Sequence, residues 1–127
     1  MTAIFDTNVW VALFNEIDAH HEKAMQLYTE NPLILIPEYV ILETTTVLQI
    51  RASKPKADLF VKMINATSGL EILHSSTHLF QQTLIMFTSQ AQKLSFVDCA
   101  LLVLAKTHTV YTFDEALAHK LATTYSP

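Results

Sequence analysis

Short apolar runs alternate with longer stretches of helical periodicity along the whole chain. Each run is hydrophobic at nearly every position, which is typical of a β-strand covered on both faces. The runs predict four strands, at 2–5, 33–36, 70–73 and 109–113. The stretches around them predict about seven helices, at 9–14, 18–30, 38–52, 56–67, 76–92, 95–107 and 115–122.

This alternation favours an α/β fold, in which right-handed crossovers connect the strands of a short parallel sheet. Turn-forming residues agree with the division: Pro32 and Pro37 bracket the second strand, and Pro55 separates two helices. A fifth strand would have only 122–126 to use, so the sheet is predicted to hold four to five strands. With 127 residues and no visible linker or repeat, the chain is predicted to be a single domain, 1–127.

Composition narrows the class of protein. Hydrophobic residues make up 50% of the chain and charged residues 16%, which excludes a disordered chain and predicts a surface covered by a second copy or a partner. The longest apolar run, 99–105, is too short to span a bilayer, and the start of the chain lacks the basic region of a signal peptide. The single cysteine, Cys99, permits no internal disulfide. We therefore expect a soluble cytoplasmic protein without a membrane partner.

Several common phosphate and metal motifs are excluded. The only glycine is Gly69, so neither a Walker loop nor a dinucleotide-binding glycine motif can be built. His20 and His21 lack the second histidine of a zinc-protease motif. The net charge of −4 also disfavours phosphate binding by a basic surface. A phosphate ligand would therefore have to be held in another way.

Four acidic residues occupy informative positions. Asp6 and Asp114 follow the last residues of the first and fourth predicted strands, and ligands of open parallel sheets bind at the carboxyl ends of strands. Glu43 falls on the same helical stripe as Val40, Val47 and Ile50, where an apolar residue is expected. Asp98 lies near the start of the most apolar predicted helix.

Each acid also has a purely structural interpretation. Asp6 could be a turn residue, Asp114 could cap the following helix, and Ser95 with Asp98 has the spacing of a capping box. Convergence of all four acids on one pocket accounts for them together. Such a cluster needs a cation, or else at least one carboxyl that keeps its proton because its pKa is raised. Oxygen ligands of this kind suit Mg²⁺ or Mn²⁺, whose charge would attract a phosphate.

The order and context of these acids resemble the PIN domain family, and the compact size resembles its VapC-type toxins. The matching segments are "DTN" at Asp6, the helix of Glu43, "SFVDCALLVLA" at Asp98 and "TFDEAL" at Asp114. The resemblance implies a three-layer sandwich and a metal-dependent ribonuclease whose four acids bind one or two ions. It also implies an antitoxin that places a basic residue in the acidic pocket, and the low surface charge predicts a homodimer.

Supporting residues follow from the same resemblance. Asn8 and Thr112 match polar positions beside the acids, although Asn8 could instead cap the helix at 9–14. Thr7 and Ser95 carry the same ambiguity between a supporting role and a cap. The chain departs from the family pattern at Cys99, where alanine usually follows the third acid, and in lacking a glycine near 107–109.

Four of the eight basic residues lie within twelve positions: Arg51, Lys54, Lys56 and Lys62. We expect Arg51, Lys54 and Lys56 to contact RNA phosphates beside the pocket. The alternative is a solvated cluster that interacts favourably with a helix C-terminus.

Other classes of protein remain open at this point. A haloacid-dehalogenase-like phosphatase also begins with an Asp at a strand end, but Asn8 stands where the second acid of its D-x-D motif belongs. A non-catalytic PIN-fold module could use its apolar surface only to bind a protein. A receiver domain should place its phosphoacceptor after the third strand, where this chain has His74 and Ser75.

Overall fold

The computed structural model describes residues 1–125, without the side chain of Tyr125. In this range the chain forms four strands, β1 (Ala3–Phe5), β2 (Ile34–Pro37), β3 (Leu70–Leu73) and β4 (Thr109–Tyr111). The seven helices of the same range are α1 (Thr7–Phe14), α2 (His21–Glu30), α3 (Glu38–Arg51), α4 (Lys54–Ala66), α5 (Thr77–Ser89), α6 (Phe96–Leu104) and α7 (Glu115–Tyr125).

The four strands form one parallel sheet in the order β3-β2-β1-β4. The chain moves from β1 to β2 to β3 in one direction and then returns past β1 to β4. Right-handed crossovers therefore place α1 to α4 on one face of the sheet and α5 and α6 on the other. The predicted α/β fold with three layers is confirmed, and the strand order reverses between β1 and β4.

The predicted fifth strand is wrong where the structure describes it. Residues 122–125 continue α7 instead of joining the sheet, and residue 126 lies outside the described residues. Ala122 and the two threonines that follow it extend the amphipathic helix, so they offer no separate apolar run. The sheet therefore has four strands within the described range.

Other differences from the predicted boundaries have local causes. The helix predicted at 18–30 begins at His21 because Asp18 accepts a hydrogen bond from the His20 backbone N–H in a turn. The helix predicted from 56 begins at Lys54, where Ser53 is the N-cap and Pro55 lies in the first turn. Pro55 was expected to lie between two helices, but it lies in the first turn of the second one.

The junction between β1 and α1 explains why no glycine is needed there. Asp6 has an extended backbone, with φ −65° and ψ 160°, and caps α1 by accepting a hydrogen bond from the Thr7 N–H. Its own N–H donates to the carbonyl of Tyr111 at 2.9 Å, so the end of β1 is tied to β4. One aspartate therefore ends the strand, starts the helix and joins two strands.

Aromatic packing fixes α1 against its neighbours. Trp10 is fully buried, with its ring centroid 5.2 Å from that of Phe5 and 5.5 Å from that of Phe60. Phe14 packs on Phe60 at 5.6 Å. Burial of each such side chain stabilises the fold by about 1.5 to 3 kcal/mol. The start of α1, which carries Asp6, Thr7 and Asn8, is thereby held on a rigid core.

Gly69 occupies a conformation that other residues rarely adopt. Its φ is +94°, and a Cβ atom there would lie 2.4 Å from the carbonyl oxygen of Pro32. Its carbonyl accepts a hydrogen bond from the Ile34 N–H at the start of β2. The single glycine is thus used where β3 approaches β2. Separately, no helix in the described part of the chain is long and apolar enough to cross a membrane.

Candidate active site

Asp6 is the buried centre of the polar groups at the carboxyl end of the sheet. Its side chain is 4% exposed, and both of its carboxylate oxygens accept hydrogen bonds. Oδ1 accepts from the Thr7 N–H at 2.7 Å, and Oδ2 accepts from the Thr112 hydroxyl at 2.7 Å. These two donors fix the orientation of the carboxylate.

The Thr112 hydroxyl connects Asp6 to the turn that follows β4. Since its one proton is donated to Asp6, its oxygen accepts from the Asn8 amide at 3.2 Å and from the Asp114 N–H at 3.0 Å. The other end of the Asn8 side chain accepts from the Phe113 N–H at 3.0 Å. Asn8 lies inside α1 and does not cap it, so the capping interpretation of Asn8 is wrong.

Asp98 and Asp114 each cap a helix. Asp98 Oδ2 accepts from the Ser95 N–H at 3.0 Å while Ser95 Oγ accepts from the Asp98 N–H at 3.0 Å, which confirms the capping box. Asp114 Oδ1 accepts from the Leu117 N–H at 3.0 Å. Within the described residues, no hydrogen bond uses the second oxygen of either carboxylate. Capping and a role in a site are therefore compatible.

The position of Glu43 differs from the predicted stripe. The buried face of α3 carries Val40, Thr44 and Leu48, whereas Ile50 is 78% exposed. The predicted stripe has successive spacings of 3, 4 and 3 residues. In the structure, α3 instead packs against α1 and the sheet with a row of residues spaced by four. Glu43 therefore lies half-buried at the edge of the packed face, one residue before Thr44.

One cavity of about 260 Å³ brings most of these residues together. Its lining residues are Asp6, Thr7, Asn8, Val11, Glu43, Val47, Arg51 and Asp114. Three of the four predicted acids thus share this carboxylate cavity, which lies at the point where strand order reverses. Asp98 and Thr112 are outside the lining, but Thr112 donates a hydrogen bond to Asp6, and the charge of Asp98 raises the pKa of Asp6.

The electrostatics of Asp6 agree with a cluster of acids. The pKa of Asp6 is raised from its ordinary value of 3.8 to about 6, mainly by burial and to a smaller extent by the charges of Asp98 and Glu43. The hydrogen bonds from Thr112 and Thr7 oppose this rise. The expectation that one clustered carboxyl has a raised pKa is confirmed, although burial contributes more than the neighbouring charges.

The donor set fits a hard divalent cation. The charged and polar lining of the carboxylate cavity offers carboxylate, amide and hydroxyl oxygens, which suit Mg²⁺ or Mn²⁺. Among the described residues, no three His, Cys, Asp or Glu side chains are drawn together closely enough to hold an ion by themselves. An ion there would need water ligands as well, as Mg²⁺ ordinarily keeps.

Thr7 provides an independent sign of a polar ligand. Its side chain is 6% exposed, and its hydroxyl oxygen is buried with no hydrogen-bond partner among the described residues. A buried hydroxyl without a partner is destabilising by about 1 to 3 kcal/mol. Since Thr7 lines the carboxylate cavity, a water molecule or a hydrated ion in that cavity would satisfy it.

The three predicted RNA-contacting residues are separated by the fold. Arg51 lines the carboxylate cavity. The Lys54 ammonium pairs with Asp58 on the same helix, and Lys56 pairs with Glu16 at 2.6 Å. Of these three residues, only Arg51 lines the cavity that three of the acids share.

One neighbour of the site was not predicted. The ring of His20 stacks on that of Phe113, with centroids 4.6 Å apart and planes 14° apart. Phe113 lies between Thr112 and Asp114, so the connection from α1 to α2 covers the turn that carries both residues. The sequence offered no signal for this contact, because it joins residues 93 positions apart through an irregular segment.

With this geometry in view, the chain can be assigned to a family. The family model of the PIN domain matches residues 3–121, and the chain belongs to the PIN domain family. No curated protein matches the chain closely enough to count as a relative.

Solved structures agree with this assignment. VapC20 of Mycobacterium tuberculosis, described as a toxin that cleaves the sarcin-ricin loop, superposes with a TM-score of 0.83 and 25% identity. The match covers 94% of this chain and 95% of that chain. VapBC2 of Rickettsia felis, crystallised with a DNA fragment from its promoter, matches with a TM-score of 0.67. Its identity is 18%, over 94% of this chain and 92% of that one, which supports the fold alone.

Proposed function

We propose that the protein is a divalent-metal-dependent endoribonuclease, and that it is the toxin of a toxin-antitoxin pair. One observation carries the proposal: Asp6 is buried without a cationic partner among the described residues, in a cavity shared with Glu43 and Asp114. A buried carboxylate in such company needs a cation. The likeness in fold to a toxin described as cleaving an RNA loop supports the choice of substrate.

Asp6, Glu43, Asp98 and Asp114 are the proposed metal ligands and catalytic residues. When bound, one or two Mg²⁺ or Mn²⁺ ions would activate water and neutralise charge on the phosphate. Asp6 is already oriented by Thr7 and Thr112. Asn8 acts indirectly, by holding Thr112 and the backbone of Phe113 in place.

Glu43 is suited to handle the proton of the attacking water. Its side chain is half-buried at the cavity and makes no hydrogen bond within the described residues, so both of its oxygens can accept one. The capping box leaves Asp98 with one oxygen for the same site, and Ser95 supports Asp98 through that box. These roles follow from which oxygens the fold already uses.

The proposed partners are an antitoxin and a second copy of the chain in the cytoplasm. The likeness to a structure that contains both members of a VapBC pair supports an antitoxin, whose basic residue would enter the acidic cavity. Helix α5 exposes a row of apolar side chains that includes Phe80, Leu84, Ile85 and Phe87. We propose that this row lies in a homodimer interface, and Ile85→Glu would then shift the protein toward a monomer in analytical ultracentrifugation.

Two other functions are less well supported. A phosphatase with Asp6 as its nucleophile would need a second acid two residues later, but Asn8 stands there, and its side chain is hydrogen-bonded to Thr112 and to the Phe113 N–H. In a binding module without catalysis, the buried Asp6 carboxylate and the Thr7 hydroxyl, which has no partner among the described residues, would only lower the stability of the fold.

The test is cleavage of a mixed RNA pool by the purified protein, with Mg²⁺, with Mn²⁺ and with excess chelator. The Asp98→Asn variant is assayed in parallel, because the amide keeps the capping acceptor while removing the charge. We expect metal-dependent cleavage by the wild type and none by the variant. Equal cleavage by both proteins would reveal a contaminating nuclease, and metal-independent or absent cleavage by the wild type would contradict the proposal.

A further inference from the structure

Among the clustered basic residues of the chain, Arg51 differs in lining the carboxylate cavity. Arg51 lines the carboxylate cavity together with Asp6, Glu43 and Asp114. In the described part of the chain it nevertheless forms no ion pair with any of them. An arginine that lines the same cavity as three acids and pairs with none of them remains available for an anion from solution.

The register of α3 explains how Arg51 reaches the cavity. Glu43, Val47 and Arg51 are spaced by four residues, so they follow one side of the helix, and all three line the cavity. Eight residues rise about 12 Å along a helix, and helical side chains lean toward the N-terminus. Arg51 therefore lies about two turns from Glu43 along the same side of α3, within reach of the cavity that both residues line.

We propose that Arg51 binds a phosphate of the RNA backbone where α3 lines the carboxylate cavity, and so positions the substrate. The inference rests on the proposed RNA substrate and deepens it by assigning the contact to one residue. The planar guanidinium can hold two phosphate oxygens at once, which a lysine ammonium cannot do. It would also offset the repulsion between three acids and a polyanion in a chain of net charge −4.

The neighbouring lysines do not share this role. Lys54 and Lys56 are engaged by Asp58 and Glu16, and neither lines the carboxylate cavity. Lys62 is exposed on α4 and is also absent from the cavity lining. Lys62→Ala is therefore a matched control, since it removes one positive charge from the same region without touching the proposed contact.

The experiment measures binding of a labelled single-stranded RNA by fluorescence anisotropy over a range of salt concentrations. All variants carry Asp98→Asn, so the RNA stays intact. We expect Arg51→Ala to weaken binding about tenfold and to reduce the salt dependence by about 0.7 in the log-log slope, as for the loss of one phosphate contact. Lys62→Ala should change affinity less than twofold. Arg51→Lys should restore the slope but only part of the affinity.

Kinetics in the Asp98 wild-type background separate positioning from a structural role. Arg51→Ala should raise KM with a smaller change in kcat, whereas a damaged fold would lower kcat and the melting temperature together. Unchanged affinity and slope in Arg51→Ala, or an equal loss in Lys62→Ala, would overturn the inference even if the wild type cleaves RNA. Absence of cleavage by the wild type would instead contradict the proposed function, and the binding comparison would still decide the role of Arg51.

Discussion

The carboxyl edge of the sheet has two halves that treat polar side chains in opposite ways. At the ends of β1 and β4, Asp6 is buried, and the Thr7 hydroxyl has no partner among residues 1–125. At the ends of β2 and β3, Glu38 pairs with His74, and the Tyr39 hydroxyl is hydrogen-bonded to that of Ser75. The β1 and β4 half contains buried polar groups that an added ligand would stabilise. In the β2 and β3 half, the polar side chains pair with one another.

The two halves also shift carboxyl pKa values in opposite directions. Burial raises the pKa of Asp6 to about 6, while the hydrogen bond from His74 lowers the pKa of the exposed Glu38. A charged residue at a strand end is therefore insufficient to identify a site. A buried carboxylate that has hydrogen-bond donors but no cationic partner among the described residues is the better indicator, because its charged form gains from an added cation.

The largest predicted effect separates the halves by activity. Asp6→Asn should lower RNA cleavage about a thousandfold, because it removes the central charge that would hold the ion. Glu38→Gln, in the other half, should leave cleavage within twofold of the wild type. The measurement is the initial rate with saturating Mg²⁺. Comparable losses in both variants would mean that the whole edge, and not the β1 and β4 half, forms the site.

The second prediction concerns stability and pH in protein stripped of metal. A raised carboxyl pKa means that the folded protein keeps a proton that the unfolded chain has lost. The stability that Asp6 contributes is therefore complete below about pH 3.8 and is lost as pH rises through about 6. The difference between the two pKa values, 3.8 and about 6, corresponds to a loss of about 3 kcal/mol in the free energy of unfolding.

Urea denaturation of the wild type and of Asp6→Asn between pH 4 and pH 7.5 tests whether the stability that Asp6 contributes falls as pH rises. The free energy of unfolding of the wild type should fall relative to that of the variant as pH rises, since the amide does not titrate. Parallel curves would show that Asp6 has an ordinary pKa. Adding Mg²⁺ should reduce the difference at pH 7, because an ion favours the charged carboxylate.

The sequence predicted the parts of this arrangement that depend on local pattern. Apolar runs located the four strands, and Asp6 directly follows β1 as predicted, whereas β4 ends two residues earlier than predicted, so Asp114 lies three residues beyond it. The capping box at Ser95 and Asp98 was equally local, since its spacing alone defines it. The polar lining of the carboxylate cavity consists of residues that the sequence had already selected.

The remaining features depend on contacts that no local pattern encodes. The rotation of α3 decides that Thr44 is buried and that Glu43 lies at the edge of the packed face. Lys56 pairs with Glu16, 40 residues away, and no local pattern predicted this contact. The order β3-β2-β1-β4 likewise emerges only when the crossovers are assembled.

The third prediction uses the two buried hydroxyls of the chain that lack partners within the described residues, Thr7 and Thr44. Replacing either with valine should stabilise metal-free protein by about 1 kcal/mol, because the shape is kept and an unsatisfied group is lost. Only Thr7 lines the carboxylate cavity, so Thr7→Val should also lower cleavage about tenfold, the scale of one lost hydrogen bond. Thr44→Val should not. Equal activity in the two variants would remove Thr7 from the site.

The smallest predicted effect is that of a substitution in the β2 and β3 half, where the polar side chains pair with one another. Glu38→Gln should leave the urea midpoint unchanged at pH 7, because the pair with His74 is exposed and solvent screens it. The Glu38→Gln variant should also keep the thermal stabilisation that Mg²⁺ gives the wild type, whereas Asp6→Asn should lose it. A metal response that disappears in Glu38→Gln would place an ion near β2, and the contrast between the two halves of the edge would then no longer hold.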